Sequence, residues 1–216
     1  MPFLAASVPA LLLLLLPLSL CRAEPPSLRY GDDTIREADR CSLGQGTCGK
    51  KGGVFGEPLP CVANERAVPL SEDAVLSATL KQVCGEEVSA QWTSVCCNQA
   101  SLEKLSQSLQ QAQAFIAMCP ACSKSFRDYY CSFTCSPDQS TFVTVSEVQD
   151  LGDAKGPAVK SVELHVDEEF GKSFYDACAN VKFAATNGYA MEFIGGGAKD
   201  WKSFLRYMGR EVCTRS

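Results

Sequence analysis

The chain has 216 residues, 46% hydrophobic and 21% charged, with a formal net charge of −5 and a pI near 5.0. That balance supports a buried core and excludes global disorder, and the acidic charge argues against a phosphate-binding face for nucleic acid. Thirteen cysteines, about 6% of the chain, stand beside a single histidine, His165, which removes most His-based metal sites and most Ser-His-Asp or Cys-His catalysis.

Residues Phe3 to Leu20 are almost wholly apolar, with Leu11 to Leu16 unbroken and Pro9 and Pro17 interrupting. The clean apolar core, about ten residues, is too short for a membrane span and fits a signal-peptide h-region. Cys21-Arg22-Ala23 places small residues for cleavage ahead of Glu24. A lipobox at Cys21 fits less well, because Leu20 is not small. The expected organisation is a signal peptide over 1–23 and a Pro- and charge-rich leader over 24–40. Cleavage removes Cys21 and Arg22, leaving 12 cysteines and a net charge of −6. An even cysteine count behind a secretory address predicts a disulfide framework.

Cys41 to Cys61 holds three cysteines and six glycines and reads as a loop-rich stapled segment, not a helix or long strand. Ser71 is the expected N-cap of a helix carrying Leu76, Leu80 and Val83 up to Cys84. Leu102, Leu105, Leu109, Ala112 and Ile116 recur at helical spacing with Gln, Ser and Lys opposite, and Pro120 ends that helix. A third helix is predicted from about Ser123 to Phe133, with Phe126, Tyr129, Tyr130 and Phe133 as an aromatic stripe. Thr141 to Val148 and Val162 to Val166 predict a hairpin across the turn-forming stretch 152–157, with His165 on its wet face. Asp167-Glu168-Glu169 opens a helix with Phe170, Phe174, Cys178 and Val181. Asn187-Gly188 is a turn, Tyr189 to Ile194 a short apolar run, and Gly195-Gly196-Gly197 a connector. Asp200 caps a last helix with Trp201, Phe204, Leu205 and Met208. Helices, hairpin, then helices indicate an α+β fold.

Cys119-Pro120-Ala121-Cys122 has the C-P-x-C spacing of thiol oxidoreductases, but it follows an amphipathic helix and not a buried strand. A secreted thiol oxidoreductase using Cys119 and Cys122 stays as one alternative. A cysteine-rich vitamin-type carrier is another. Cys96-Cys97 cannot easily bond to each other and points to two separate partners. Cys131 and Cys135, one helical turn apart, form a second such pair. No metal site is expected, since a secretory route and missing His ligands disfavour zinc. No acidic pair is positioned for acid–base work.

VCGEEVSAQWTSVCC, the Leu-rich helix and CPACSKSFRDYYCSFTCSPDQSTFV, in that order, resemble the luminal N-terminal domain of the Niemann–Pick type C1 sterol transporter family in its fungal form. CGKKGGVFGEPLPC and FYDACANVKFAATNGYAMEFIGGGAKDW extend the likeness. It covers about Cys41 to Met208. The resemblance implies a helix-rich, disulfide-stapled α+β domain over 41–208, incomplete at its C-terminus, with a small sheet and an internal ligand pocket. Residues 209–216 read as a tail outside the family. The implied role is sterol binding and transfer, not enzymatic catalysis, with no cofactor beyond the sterol ligand. The implied partners are the small soluble Niemann–Pick type C2 sterol carrier and the transmembrane body of a parent transporter, in the lysosome or fungal vacuole.

Carried onto this sequence, the resemblance implies that Leu105 and Tyr130 line the pocket and that Phe193 and Ile194 form its mouth. The position that bonds the sterol hydroxyl falls at Ser101, with Gln99 nearby, and a second polar position is Pro60, which has no side-chain donor. The implied bridges are Cys41–Cys96, Cys48–Cys61, Cys84–Cys131, Cys97–Cys135 and Cys122–Cys178. Cys119 is left without its family partner, and Cys213 without a family counterpart.

Overall fold

The computed structural model describes residues 37–50, 58–149, 156–183, 187–208 and 210–215. The expected signal peptide, nearly all of the leader and most of the 152–157 turn lie outside these residues.

The chain opens with two long strands, β1 (Arg40–Lys50) and β2 (Pro58–Arg66), paired antiparallel. This corrects the loop expected from Cys41 to Cys61. The glycines do not prevent pairing; they sit where the ladder shifts register and where it presses on its neighbours. A Cβ on Gly49 would meet the Ala158 Cβ at 2.6 Å. A two-residue strand β3 (Val68–Pro69) leads into a 3₁₀ turn at Leu70–Glu72 and then α1 (Ala74–Cys84). Asp73, not Ser71, caps α1: its carboxylate accepts from the Leu76 backbone N–H at 2.8 Å, while Ser71 falls inside the 3₁₀ turn. The short α2 (Glu86–Ser89) and β4 (Ser94–Val95), paired with β3, complete this end.

Two long helices follow, α3 (Gln99–Ile116) and α4 (Pro120–Cys135). The aromatic helix starts earlier than Ser123, because Pro120 occupies its first turn, where a missing N–H costs nothing. Then come α5 (Gln139–Phe142), β5 (Val143–Gln149) and β6 (Ala158–Asp167). β5 and β6 pair antiparallel from Val143↔Leu164 to Gln149↔Ala158, and Val143, Val145, Val162, Leu164 and Val166 are buried. His165, on the opposite face, is half-buried, and its Nε2 lies 3.2 Å from Thr144 Oγ1. The chain continues through α6 (Glu168–Ala179), α7 (Ala190–Ile194) and α8 (Trp201–Tyr207). The run expected at Tyr189 to Ile194 is therefore mostly a short helix. β7 (Arg210–Arg215) then pairs parallel with β6, so the tail joins the sheet, whose remaining order is β1-β2-β6-β5.

The main core lies between the sheet and helices α4, α6, α7 and α8. Phe126 and Phe204 are essentially fully buried there, with ring centroids 6.0 Å apart, and Phe174 stacks 4.6 Å from Tyr129. A second cluster sits under α1, α3 and α4 around Leu80, Leu102 and Leu105. The bridges join Cys41 to Cys96, Cys48 to Cys61, Cys84 to Cys131, Cys97 to Cys135 and Cys122 to Cys178. These are the same five pairs that the resemblance implies. The buried Gln139 ties sheet to helix: its Oε1 accepts from the Ser42 and Leu43 backbone N–H groups at 3.0 and 2.9 Å, and its Nε2 donates to Phe133 O at 2.9 Å.

Candidate functional site

α3, α4 and α7 together border a cavity of about 680 Å³. That volume is within the range of small-molecule sites. From α3 it is lined by Leu105, Leu109, Ala112 and Phe115, and from α4 by Phe126, Tyr130 and Phe133. α7 contributes Phe193 and Ile194, and Met208 follows α8.

The apolar wall follows from helix periodicity. Leu105 and Leu109, one turn apart, face both the core and the cavity. Aromatic rings cluster at one end: Phe115 lies 4.8 Å from Phe193 and 4.9 Å from Phe183, centroid to centroid. Phe193 is nevertheless 61% exposed, a large apolar ring left at a surface opening. Gly195-Gly196-Gly197 turns the chain sharply behind α7. Gly196 and Gly197 adopt φ of 61° and 92°, which an L side chain resists, so these two glycines shape the turn.

Polar groups concentrate on the α3 side. Ser101, Lys104, Ser108 and Gln111 line the cavity there, with Thr134 from α4. Ser101 is also the third residue of α3 and closes its capping box. Its N–H donates to Asn98 Oδ1 at 2.9 Å, and its hydroxyl donates to Asn98 O while accepting from Asn98 N–H, both at 2.8 Å. One hydroxyl lone pair remains for a ligand. Gln99 does not line the cavity; its Nε2 donates to Glu103 Oε1 at 3.2 Å. Pro60 sits in β2, outside the lining.

Of the six positions carried over from the resemblance, Leu105, Tyr130, Ser101, Phe193 and Ile194 thus surround one cavity, and Gln99 is not part of its lining. Phe115 and Lys104 were not singled out from sequence. Phe115 follows Ala112 on the apolar stripe, so the periodicity alone pointed to it; Lys104 on a polar helix flank gave no such signal.

Cys122 is bridged to Cys178 and fully buried, so Cys119 and Cys122 do not form a reactive dithiol pair. Cys119 is the free, half-buried cysteine among the described residues. Among those residues no cluster of three His, Cys, Asp or Glu side chains is placed to hold a metal ion. None of their helices is long and apolar enough to cross a membrane.

The sequence profile of a family described as Niemann-Pick C1 N terminus matches residues 38–215. The match therefore takes in most of the stretch expected to lie outside the family. NPC1-like intracellular cholesterol transporter 1 of Homo sapiens is 31% identical over 173 residues, 78% of this chain and 12% of that protein. The protein of the same name in Rattus norvegicus is 30% identical over 161 residues, 72% of this chain and 12% of that protein. NPC intracellular cholesterol transporter 1 homolog 1 of Caenorhabditis elegans is 31% identical over 136 residues, 57% and 10% of the two chains. The chain spans about an eighth of the length of the curated relatives first named here.

Proposed function

The chain belongs to the Niemann-Pick C1 N terminus family, and from that membership we propose that it binds one sterol in the cavity between α3 and α4 and passes it on for transport. The observation that carries this reading is the convergence of Leu105, Tyr130, Phe193 and Ile194 on one 680 Å³ apolar cavity. The setting is the lumen of a lysosome or vacuole. The donor is a small soluble sterol carrier of the Niemann–Pick type C2 kind, and the acceptor is the membrane-embedded body of a transporter. The role is binding and transfer without chemical change, and no cofactor takes part.

A sterol is a rigid apolar plate with one hydroxyl. Burying about 400 Å² of it at about 25 cal/mol/Å² contributes roughly 10 kcal/mol before association costs. That exceeds what sub-micromolar binding requires. The plate lies against Leu105, Leu109 and Phe126, its hydroxyl towards Ser101 and its tail towards Phe193 and Ile194. At Ser101 the ligand O–H donates into the remaining lone pair, since the serine hydrogen is held by Asn98 O. An unpaired buried hydroxyl would cost about 1–3 kcal/mol. Bridges at Cys122, Cys131 and Cys135 fix α4, one wall of the cavity, to the rest of the fold and offset the contacts the cavity forgoes.

The test is equilibrium binding of a radiolabelled sterol to the chain produced through a secretory pathway, with its disulfides verified. Saturable one-to-one binding that falls at least tenfold in Leu105→Trp supports the reading. Absence of saturable binding by the correctly bridged protein overturns it.

A further inference from the structure

We propose that the opposite side of α4 carries a second binding site, for a neutral pyranose sugar. The site is independent of the sterol reading.

A second cavity of about 540 Å³ lies there, bordered by α4, α5, β6 and the start of α6. That size is again within the range of small-molecule sites. α4 separates the two spaces: Tyr130 borders the sterol cavity, its neighbour Tyr129 borders this one, and Phe133 borders both. None of the positions carried over from the resemblance lines it. Its aromatic wall is Trp92, Tyr129, Phe133, Phe142 and Phe170, five rings in a chain that is 9% aromatic. The Tyr129 and Phe170 rings lie 6.4 Å apart, and Phe170 is 50% exposed, an apolar face that the core leaves uncovered.

Polar groups converge on the same space, and they offer both kinds of hydrogen bond. Ser136 is buried, at 8% exposure; its Oγ accepts from the Asp138 N–H at 3.2 Å, and its hydrogen meets no acceptor among the described residues. A donor so buried is destabilising until an acceptor reaches it. Asp138 Oδ1 accepts from the Asp39 N–H at 2.9 Å, and Asp167 Oδ1 from the Phe170 N–H at 3.0 Å. The second oxygen of each carboxylate is left to accept from a ligand. No lysine or arginine among the described residues borders the cavity.

A ligand that fits this wall donates to the carboxylates and accepts from Ser136. A hydroxyl group does both, whereas an ammonium only donates and a carboxylate only accepts. The ligand also brings an apolar face to the rings. A pyranose combines the two, with C–H groups on its flat faces and hydroxyls around its edge. Hydrogen bonds to ionised carboxylates are the stronger kind and offset the water that a sugar gives up.

The experiment is a ligand-observed NMR titration of the full chain, its disulfides verified. The probes are glucose, galactose, mannose and N-acetylglucosamine, each free and as its methyl glycoside, with cyclohexanemethanol and sorbitol as controls. At least one pyranose should bind saturably with a dissociation constant of about 1 mM. Cyclohexanemethanol has a ring with one hydroxyl and sorbitol has hydroxyls without a ring, so each should bind about tenfold more weakly. Phe170→Ala and Asp138→Asn should each weaken the pyranose about fivefold. Asparagine keeps the acceptor for Asp39 and Phe170 is half-exposed, so both variants should melt close to the parent. Phe170→Tyr should retain binding, and Leu105→Trp, which alters the other cavity, should leave it unchanged. Binding by the free sugar alone marks a soluble saccharide as the ligand; binding by the glycoside as well marks the end of a glycan chain. No saturable pyranose, or a control that binds as tightly as the best pyranose, overturns the proposal. So does binding that survives both Phe170→Ala and Asp138→Asn, or that is lost in Leu105→Trp. Each of these results leaves the sterol reading standing.

Discussion

Asp200 shows how much one side chain contributes when it holds two backbone groups at a helix start. Its Oδ1 accepts from the Ser203 backbone N–H at 2.8 Å, and the Ser203 hydroxyl answers by donating to Asp200 O. The Ser203 amide is the main reason the Asp200 carboxyl is held below its ordinary 3.8; burial pulls the other way, and the Ser203 hydroxyl, the Lys202 amide and Arg206 reinforce the lowering. A carboxyl depressed on folding stabilises fully above its unfolded value and loses that contribution as pH falls through the folded one. The cap is therefore intact at mildly acidic pH and fails only below about pH 4. Asp200→Ala should cost about 1 kcal/mol at neutral pH in a denaturant titration. The gap in melting temperature between the parent and Asp200→Asn should stay constant from neutral pH to about pH 5 and narrow below pH 4; a gap flat across the whole range refutes this account. Gly171 is a second single-residue case. Mid-helix Gly→Ala ordinarily gains up to about 1 kcal/mol, but here the new Cβ would sit 2.6 Å from Trp201 Cε3. The rigid indole is buried and cannot swing aside, and overpacking costs about 1–3 kcal/mol. The clash wins, so Gly171→Ala should lower stability by about 1 kcal/mol, measured by urea unfolding.

At the scale of elements, α4 is the member on which both cores depend. It presents Phe126 and Tyr129 to the sheet side and Cys131 and Cys135 to α1 and the β4–α3 corner. The Cys97–Cys135 bridge spans 38 residues, and closing a loop of that length removes about 4 kcal/mol of unfolded-state entropy. The double variant Cys97→Ala with Cys135→Ala should lose about 2–4 kcal/mol and loosen the cavity wall; unchanged unfolding midpoints would argue against it. α7 is the opposite case, five residues with Phe193 mostly in solvent. Ala190 and Met191 anchor it in the main core, while Phe193 adds only aromatic contacts with Phe115 and Phe183 at the surface. Phe193→Ala should speed ligand release several-fold in a stopped-flow measurement while shifting the unfolding midpoint by less than about 0.5 kcal/mol. The legibility of these elements tracks how local their signals are. α3, α4 and α6 were readable because apolar residues repeat at helical spacing within one segment. β1 and β2 were not, because their partner strand lies beyond a masking run of glycine and lysine, and pairing is a non-local property that composition does not carry. Gln139 was invisible for a related reason: a lone glutamine after Asp138 looks solvated until the Ser42 and Leu43 amides arrive from almost a hundred residues away.

At the scale of the whole molecule, a folded domain that keeps a cavity of about 680 Å³ forgoes the contacts that would fill it. The apolar half of the site was legible because Leu105, Tyr130, Phe193 and Ile194 lie on stripes or motifs. The polar half was not: a serine hydroxyl spent on a capping box and a lysine on a helix flank look alike in sequence whether or not a cavity stands behind them. A cavity of this size gives a direct thermodynamic expectation. A ligand that binds only the folded state, present at a hundred times its dissociation constant, stabilises by about 2.7 kcal/mol. For a domain of this size that raises the melting temperature by roughly 5–10 °C. Sterol should produce that rise in calorimetry on the parent chain. The rise should be absent in Leu105→Trp, where the indole intrudes between α3 and α4, and each protein's rise is read against its own unliganded melting temperature, because Leu105 also belongs to the buried core. Equal shifts in the two proteins would place the ligand elsewhere on the surface and remove the α3–α4 cavity as the site.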